Sequence, residues 1–525
     1  MPTPAAILRV LPPVVLALVT LPAPAHMQDE EGDDALLLID EWLLDEPVPP
    51  PASVGPDATP TQKAKAARLE REALRAIDRG ELERAEALLD EQRQLTPNSY
   101  VVYYNLACVR ALMGLPAEAT DMLAAAIEHG FDDIHQLRRD PQLDTIRDQP
   151  LYEDVVNHWD AILDARRDAN VEHIRSWLDG RYEEATDAAL RLTILSAHDE
   201  TSTQESLREL NAIAGWARDN VFPDLLDPAQ TSEDPWVVVV LPNAKDFTQW
   251  SVGVLGGSAR GNFSQVGGAY LHDTKHLVAQ NLGTTLRHEF FHVLHWRDMT
   301  RRGQVAPIWI QEGLCSLIED YDLRAGKIVV APSWRSNIVK RQLDIGRLVT
   351  ITDLATYSQL EFSNQRPLSK YAQARTVFLY LASIGKLGEW YAAYTAGFDD
   401  DPTGVKAFET VFAKPIDQVE SDYRDWVRTL PMVPETGSEL SATLGVEIEN
   451  GDGDGPVVTA VSLDARKRTG LRPLDRITAI DGAPTRDLQE LIRRLGAYAP
   501  GAEVELSVRR GFSRHETLKA SLAAR

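Results

Sequence analysis

The chain has 525 residues, 44% of them hydrophobic, which is long enough for about three domains with buried cores. Its 79 acidic residues outnumber its 54 lysines and arginines, which gives a formal net charge of −25. Because nucleic-acid binding needs clustered positive charge, this composition argues against a nucleic-acid-binding surface and predicts an acidic multidomain globular protein.

Residues 1–25 have the organisation of a secretory signal peptide. Arg9 supplies a positive charge, residues 10–21 are apolar, and residues 23–25 (Ala-Pro-Ala) offer a small-residue cleavage site. The apolar stretch is too short to span a bilayer comfortably. We therefore expect an exported protein, periplasmic or extracellular, with no membrane span after signal removal.

The next part of the chain predicts a linker and then a helical repeat domain over residues 63–165. Residues 26–62 are acidic and then rich in proline, a composition typical of linkers. Beyond them, Gly80 and Gly114 are 34 residues apart, the tetratricopeptide period, and the stretch resembles two such repeats. The resemblance implies either a concave surface for a protein partner or a helical spacer that packs on the next domain.

Residues 186–430 predict an α+β domain. Residues 190–196 and 236–241 have the apolar composition of buried strands, and residues 204–218 between them predict a helix.

Three side chains in this domain have the spacing of a zinc site. His288 and His292 lie four positions apart on a predicted helix, so their imidazoles share one face. Glu312 follows on a second helix, predicted to begin near Pro307. Two histidines and a glutamate leave one tetrahedral position of Zn²⁺ open for water, and Glu289 beside the first histidine is the candidate general base.

Two alternatives compete with this interpretation. His295 and Asp298 extend the motif toward a metzincin pattern, but the glycine that turns such a chain back to the metal is absent at position 295. We therefore favour Glu312 over Asp298 as the third ligand. The other alternative is that both histidines of the motif are ordinary buried residues of an amphipathic helix.

The motif helix, together with Trp309-Ile310-Gln311-Glu312-Gly313, resembles the gluzincin peptidases, the clan of thermolysin and aminopeptidase N. The resemblance implies His288, His292 and Glu312 as zinc ligands and Glu289 as the general base.

The same resemblance implies further site residues. Tyr371, at the start of an apolar helix, would stabilise the oxyanion, with Tyr321 as the alternative. Gly268, Ala269 and Tyr270 would form an edge strand that binds an extended peptide, the alternative being an ordinary surface hairpin. The aminopeptidase pattern Gly-x-Met-x-Asn is absent from this stretch, which favours an endopeptidase.

Residues 438–525 resemble a PDZ domain of the bacterial protease type. Leu444-Gly445-Val446 looks like its carboxylate-binding loop and residues 487–495 like its groove helix. The resemblance implies capture of a protein C-terminus, or alternatively a spacer with a closed groove. A run rich in glycine and aspartate at residues 450–455 predicts a flexible turn.

These patterns together predict an α-helical repeat domain, an α+β thermolysin-like zinc peptidase domain and a small β-rich PDZ domain. The predicted function is an exported zinc-dependent peptidase that acts on peptide or protein substrates, with Zn²⁺ as its cofactor. The alternative is a secreted or periplasmic adaptor, in which the repeat and PDZ domains bind partners and the zinc unit is inactive.

Overall fold

The computed structural model describes residues 15–18, 60–178, 180–225, 234–255, 267–271, 274–364 and 366–525. The predicted signal peptide, apart from residues 15–18, and the predicted linker up to residue 59 lie outside the described residues. In the part of the chain that is described, no helix has the length and apolar composition needed to cross a membrane.

The N-terminal part of the chain is helical. Its elements are α1 (Pro60–Asp78), α2 (Leu82–Leu95), α3 (Tyr100–Leu112), α4 (Pro116–Glu128), α5 (Ile134–Arg139), a 3₁₀ turn (Pro141–Ile146), α6 (Pro150–Asn157) and α7 (Trp159–Trp177). Helix α1 packs on α2, and α3 packs on α4. Gly80 and Gly114, which define the 34-residue period, follow α1 and α3 with φ of 71° and 74°. Because this left-handed backbone suits glycine, the repeated glycines mark equivalent turns between paired helices.

A mixed sheet lies in the central part of the chain. Its strands are β1 (Val15–Leu18), β2 (Glu183–Asp187), β3 (Leu192–Ser196), β4 (Trp236–Val240), β5 (Gly268–Leu271) and β6 (His276–Ala279). They lie in the order β1-β5-β6-β4-β3-β2, with β3, β4 and β6 parallel to one another. Alternate residues of β4 enter two different hydrophobic cores, Val238 on one face and Val239 on the other. Burial on both faces explains the unbroken valine run of this strand.

Helices cover the rest of the central part. They are α8 (Glu200–Asn220), α9 (Ala244–Leu255), α10 (Thr284–Arg302), α11 (Ile308–Leu317), α12 (Trp334–Asp344), α13 (Ile351–Thr356), α14 (Gln359–Asn364), α15 (Pro367–Ser383), α16 (Leu387–Ala396), α17 (Val405–Phe412) and α18 (Ile416–Thr429), with a hairpin of β7 (Tyr321–Arg324) and β8 (Lys327–Val330) after α11. Helix α11 packs closely on α15 at Gly313, where a Cβ atom would come within 2.5 Å of the Phe378 ring. Glycine beside Glu312 therefore brings these two helices together.

The C-terminal part is β-rich with its own core. Its elements are β9 (Ala442–Thr443), β10 (Val446–Glu449), β11 (Val457–Val461), α19 (Leu463–Thr469), β12 (Arg476–Ile480), β13 (Ala483–Pro484), α20 (Leu488–Leu495), β14 (Glu503–Arg510), β15 (Arg514–Ser521) and β16 (Ala523–Ala524). Strands pair in the order β10-β11-β12-β14-β15. Leu491 and Leu495 of α20 are buried in the core beneath this sheet.

This C-terminal part is docked on the central part. The carbonyl of Gly453 accepts a hydrogen bond of 2.7 Å from the backbone N–H of Leu282, just before α10. Asp454 beside it is fully buried and pairs with Arg476 at 3.0 Å. The prediction of a flexible turn at residues 450–455 is therefore wrong, because contacts with a distant part of the chain order this run.

Candidate metal centre

Helices α10 and α11 bring three ligand-type side chains to one point. The Nε2 atoms of His288 and His292 are 3.2 Å apart, and Oε2 of Glu312 lies 3.4 Å from the first and 3.8 Å from the second. Ligands about 2.0–2.1 Å from a tetrahedral zinc are separated by about 3.3 Å. The three side chains are thus arranged to share one ion, and they form the one such group found among the described residues.

The carboxylates at this point lack ordinary hydrogen-bond donors. Among the described residues, both oxygens of Glu289 are buried without a hydrogen-bond partner, and the polar contacts of Glu312 are with the two imidazoles. Burial, supported by the negative charges of Glu312 and Glu319, raises the pKa of Glu289 to about 8. Because buried carboxylates without donors are costly, this set fits a bound cation.

Glu319 contacts His288 at Nδ1, on the side of the imidazole away from Glu312. Its Oε1 lies 2.9 Å from Nδ1 of His288, and Arg335 holds the same carboxylate at 2.8 and 3.1 Å. Burial alone would raise the pKa of Glu319, but Arg335 and His288 lower it to about 2, so the group stays ionised. An ionised carboxylate on Nδ1 fixes the tautomer that presents Nε2 to a metal.

Glu319 was not among the site residues predicted from the sequence. The available signal was an acidic residue seven positions after Glu312, two helical turns on, at the end of an otherwise apolar stretch. Arg335 could not have been found in this way, because it belongs to a different helix, α12.

Tyr270 supports the second histidine. Its ring stacks on the ring of His292 with a centroid distance of 5.1 Å and an interplanar angle of 2°, and it also packs on Trp236 at 5.9 Å. The side chain of Tyr270 faces the core beneath the metal site, so the predicted peptide binding at this position rests on its backbone alone. Ala269, the neighbouring residue, points into the core on the opposite face of the sheet.

Gly268 brings the edge strand against the candidate base. A Cβ atom at this position would lie 2.7 Å from Cγ of Glu289 and 2.6 Å from Cγ2 of Thr285. Strand β5 was predicted to have an unpaired outer edge, but Val15–Leu18 pairs with it antiparallel, with Leu18 opposite Gly268. The edge thus pairs with an extended backbone in which Leu18 lies opposite Gly268, the residue packed against Glu289.

Tyr321, one of the two tyrosines predicted to stabilise the oxyanion, uses its hydroxyl in a hydrogen bond within the protein. Its hydroxyl donates a hydrogen bond of 2.6 Å to Glu209. Tyr371 is buried on α15, and burial together with the charge of Glu312 raises its pKa well above its usual value. It therefore stays protonated and able to donate.

The metzincin alternative does not match the geometry. Asp298 accepts hydrogen bonds from Tyr391 at 2.8 Å and from Arg302 at 2.9 Å, on the far side of α10. His295 stacks on Phe222 at 5.4 Å. Neither residue belongs to the group formed by the two motif histidines and Glu312.

At the C-terminal part, residues 442–522 match the family model described as "PDZ domain". These residues form a PDZ domain. Its predicted carboxylate loop contains a buried Leu444, then Gly445 with φ of 74°, and Val446 at the start of β10. The left-handed φ favours glycine at this position, where an added Cβ atom would lie 2.8 Å from Nη2 of Arg468 on α19. A PDZ domain supports binding of peptide or protein C-termini.

A search of curated proteins returned no match. Among solved structures, the chain is similar to two structures of the "HtrA-type protease AlgW" with decapeptide, at 28% and 24% identity over 16% and 21% of this chain, with TM-scores of 0.15. It covers 30% and 35% of those chains, about a third of their length. An aminopeptidase N family protein from Idiomarina loihiensis matches at 14% identity over 66% of this chain and 67% of that chain, with a TM-score of 0.27. TM-scores of this size do not establish a shared fold.

Proposed function

We propose that this chain is an exported, zinc-dependent peptidase. The observation that carries the proposal is the convergence of His288, His292 and Glu312 on one point, with the unpartnered carboxylate of Glu289 beside them. A structural zinc site is closed by four protein ligands, whereas this group offers three in the described part of the chain. An open position next to a buried base favours catalysis over a purely structural ion.

Glu289 has the properties of a proton carrier for peptide hydrolysis. Bound zinc would supply a Lewis acid that acidifies water and polarises the substrate carbonyl. Glu289 takes the proton of the attacking water and passes it to the leaving nitrogen. Its position beside the candidate ligands, with both carboxylate oxygens free of other donors among the described residues, suits both steps.

Two other parts of the site complete the proposed reaction. Tyr371, with its proton retained, donates a hydrogen bond to the oxyanion that develops on the carbonyl. Strand β5 binds the substrate as an additional antiparallel strand, in the place that Val15–Leu18 of the predicted signal peptide leaves free once that peptide is removed. Because backbone hydrogen bonds along a strand require no free terminus, and no aminopeptidase-type sequence is present at 267–271, cleavage within peptides is favoured.

The remaining assignments rest on the sequence. The signal-like residues 1–25 support export to the periplasm or the extracellular space. The helical repeats of the N-terminal part are proposed to bind a protein partner or to act as a spacer.

The test compares the full-length wild type with Glu289→Gln, a substitution that keeps size and polarity but removes basicity. We expect hydrolysis of a mixed peptide library, read by mass spectrometry, to fall by about 10² to 10⁴ while zinc content is retained. Glu420→Gln is the matched control, because Glu420 pairs with Arg424 on α18, away from the site. Internal cuts by the wild type support an endopeptidase, and trimming from one end indicates an exopeptidase. A wild type that binds zinc and cuts nothing would favour the adaptor alternative.

A further inference from the structure

The helix of the PDZ domain that was predicted to line the peptide groove, α20, lies against the support of the metal site. Its Glu490 is 2% exposed, and its Oε1 lies 3.3 Å from Nη2 of Arg287. Arg287 immediately precedes the candidate ligand His288 on α10 and is fully buried. The two residues are 203 positions apart in the chain, so the contact exists only because the PDZ domain docks here.

Arg287 also contacts the segment that carries Glu319. The same Nη2 atom donates a hydrogen bond of 2.8 Å to the backbone carbonyl of Glu319, and Nη1 donates to Glu209 at 2.9 Å. Glu319 in turn holds Nδ1 of His288. A continuous chain of polar contacts therefore runs from the PDZ helix to a candidate metal ligand.

Two arginines of α20 hold the residues just after Glu319. Arg493 donates to the carbonyl of Tyr321 at 2.7 Å and to Asp322 at 2.8 Å, and Arg494 donates to the same carbonyl at 3.3 Å. Arg494 also donates to Oε1 of Glu490 at 2.9 Å. The backbone on the C-terminal side of Glu319 is thus fixed by the PDZ domain.

Loss of the negative charge at Glu490 would disturb this arrangement. Two guanidinium groups, of Arg287 and Arg494, share its Oε1, and its Oε2 accepts the backbone N–H of Arg486 at 2.9 Å. Without the charge of Glu490, Arg287 keeps Glu209 as its carboxylate partner on Nη1, so the guanidinium relaxes toward that side. For Arg287, such relaxation would release the carbonyl of Glu319.

We propose that Glu490 of the PDZ domain is a positioning residue for the metal site, which acts through Arg287 to keep Glu319 on His288. The inference rests on the proposed function, since it assigns a role toward the zinc of that same site. It makes the PDZ domain part of the metal-binding unit rather than a separate binding module. The proposed effect of Glu490 is on zinc affinity, which is measured separately from peptide hydrolysis.

The experiment measures the dissociation constant for zinc in full-length protein by competition with a chromophoric chelator. Glu490→Gln is expected to weaken zinc binding about tenfold, at the lower end of outer-shell effects. The matched control is Asp475→Asn, because Asp475 is equally buried and pairs with Arg510 inside the PDZ domain without touching the central part. This control should bind zinc like the wild type. Thermal unfolding with excess zinc identifies any variant that does not fold.

A double-mutant cycle with Glu319→Gln tests whether Glu490 affects zinc binding through Glu319. If Glu490 acts through Glu319, then Glu490→Gln should change zinc affinity less than about twofold once Glu319 is already Gln. A repeated tenfold loss in that background would overturn the route, and equal affinity of Glu490→Gln and wild type would overturn the proposal. If Glu490→Gln does not fold, Arg493→Met replaces it with the same expected direction. A folded wild type that binds no zinc would refute the proposed function itself, which is a different outcome.

Discussion

The carboxylate of Glu319 lies 2.9 Å from Nδ1 of His288, on the side of the imidazole opposite the atom that faces Glu312. Arg335 fixes this carboxylate with two hydrogen bonds. A histidine held in this way is oriented before any metal arrives, which lowers the entropic cost of assembling the site.

We expect Glu319→Gln to weaken zinc binding by about 10- to 100-fold, because the amide cannot hold Nδ1 as strongly and cannot pair with Arg335. The measurement is a chelator competition assay at constant pH. Glu420→Gln, which removes the partner of Arg424 elsewhere in the same part of the protein, should leave the affinity unchanged. An unchanged affinity for Glu319→Gln would mean that His288 needs no such support.

Glu312→Ala and Asp298→Ala should separate the two candidate third ligands. Loss of Glu312 removes a ligand, so we expect zinc to be absent after gel filtration, as measured by metal analysis. Loss of Asp298 leaves the buried Tyr391 hydroxyl without its acceptor, while Arg302 keeps Asp224, so we expect unchanged zinc but a stability loss of about 2 kcal/mol. The reverse order of zinc loss would restore the metzincin interpretation.

Gly268→Ala should separate catalysis from metal binding. The added methyl group would occupy space now held by Cγ of Glu289 and by Thr285, so the base or strand β5 must shift. We expect peptide hydrolysis to fall by about 10² while zinc is retained, since misplacement of a reacting group by about 1 Å costs this much. Gly215→Ala on α8 is the control, because no described residue lies within 4 Å of its added Cβ atom, and it should leave activity unchanged. Full activity of Gly268→Ala would place the substrate and base elsewhere.

Tyr371→Phe should lower kcat by about 10² to 10³ with little change in KM, the behaviour of a donor that acts in the transition state. Steady-state kinetics on one peptide substrate measures both constants. Tyr423→Phe provides a buried comparison on α18 in the same core. A change confined to KM would indicate that Tyr371 contacts substrate without stabilising the oxyanion.

The metal-free protein should lose stability as the pH rises. Burial raises the pKa of Glu289 to about 8 from the usual 4.5, so the folded chain binds a proton that the unfolded chain has released. The unfolding free energy of the wild type should therefore fall relative to Glu289→Gln between about pH 5 and pH 8. Urea unfolding of chelator-treated samples measures the difference. A difference that stays constant over this range would mean that Glu289 titrates normally.

The sequence by itself determined the elements that depend on local spacing. Two histidines four positions apart on an amphipathic helix share a face in any fold, and a run of valines buried on both sides forms a central strand. The helix predicted at 204–218 extends over Glu200–Asn220, and the strand predicted at 236–241 covers Trp236–Val240. The PDZ motifs were also recognisable, because loop, strand and groove helix follow one another within a short stretch.

Only the tertiary structure decided which residues support these elements. Arg335 meets Glu319 because the start of α12 lies beside the segment that follows α11, and Tyr270 stacks on His292 because β5 passes beneath α10. The contact of Arg287 with Glu490 joins residues 203 positions apart. No local pattern encodes such pairs, because their partners are set by how the helices, the sheet and the PDZ domain pack against one another.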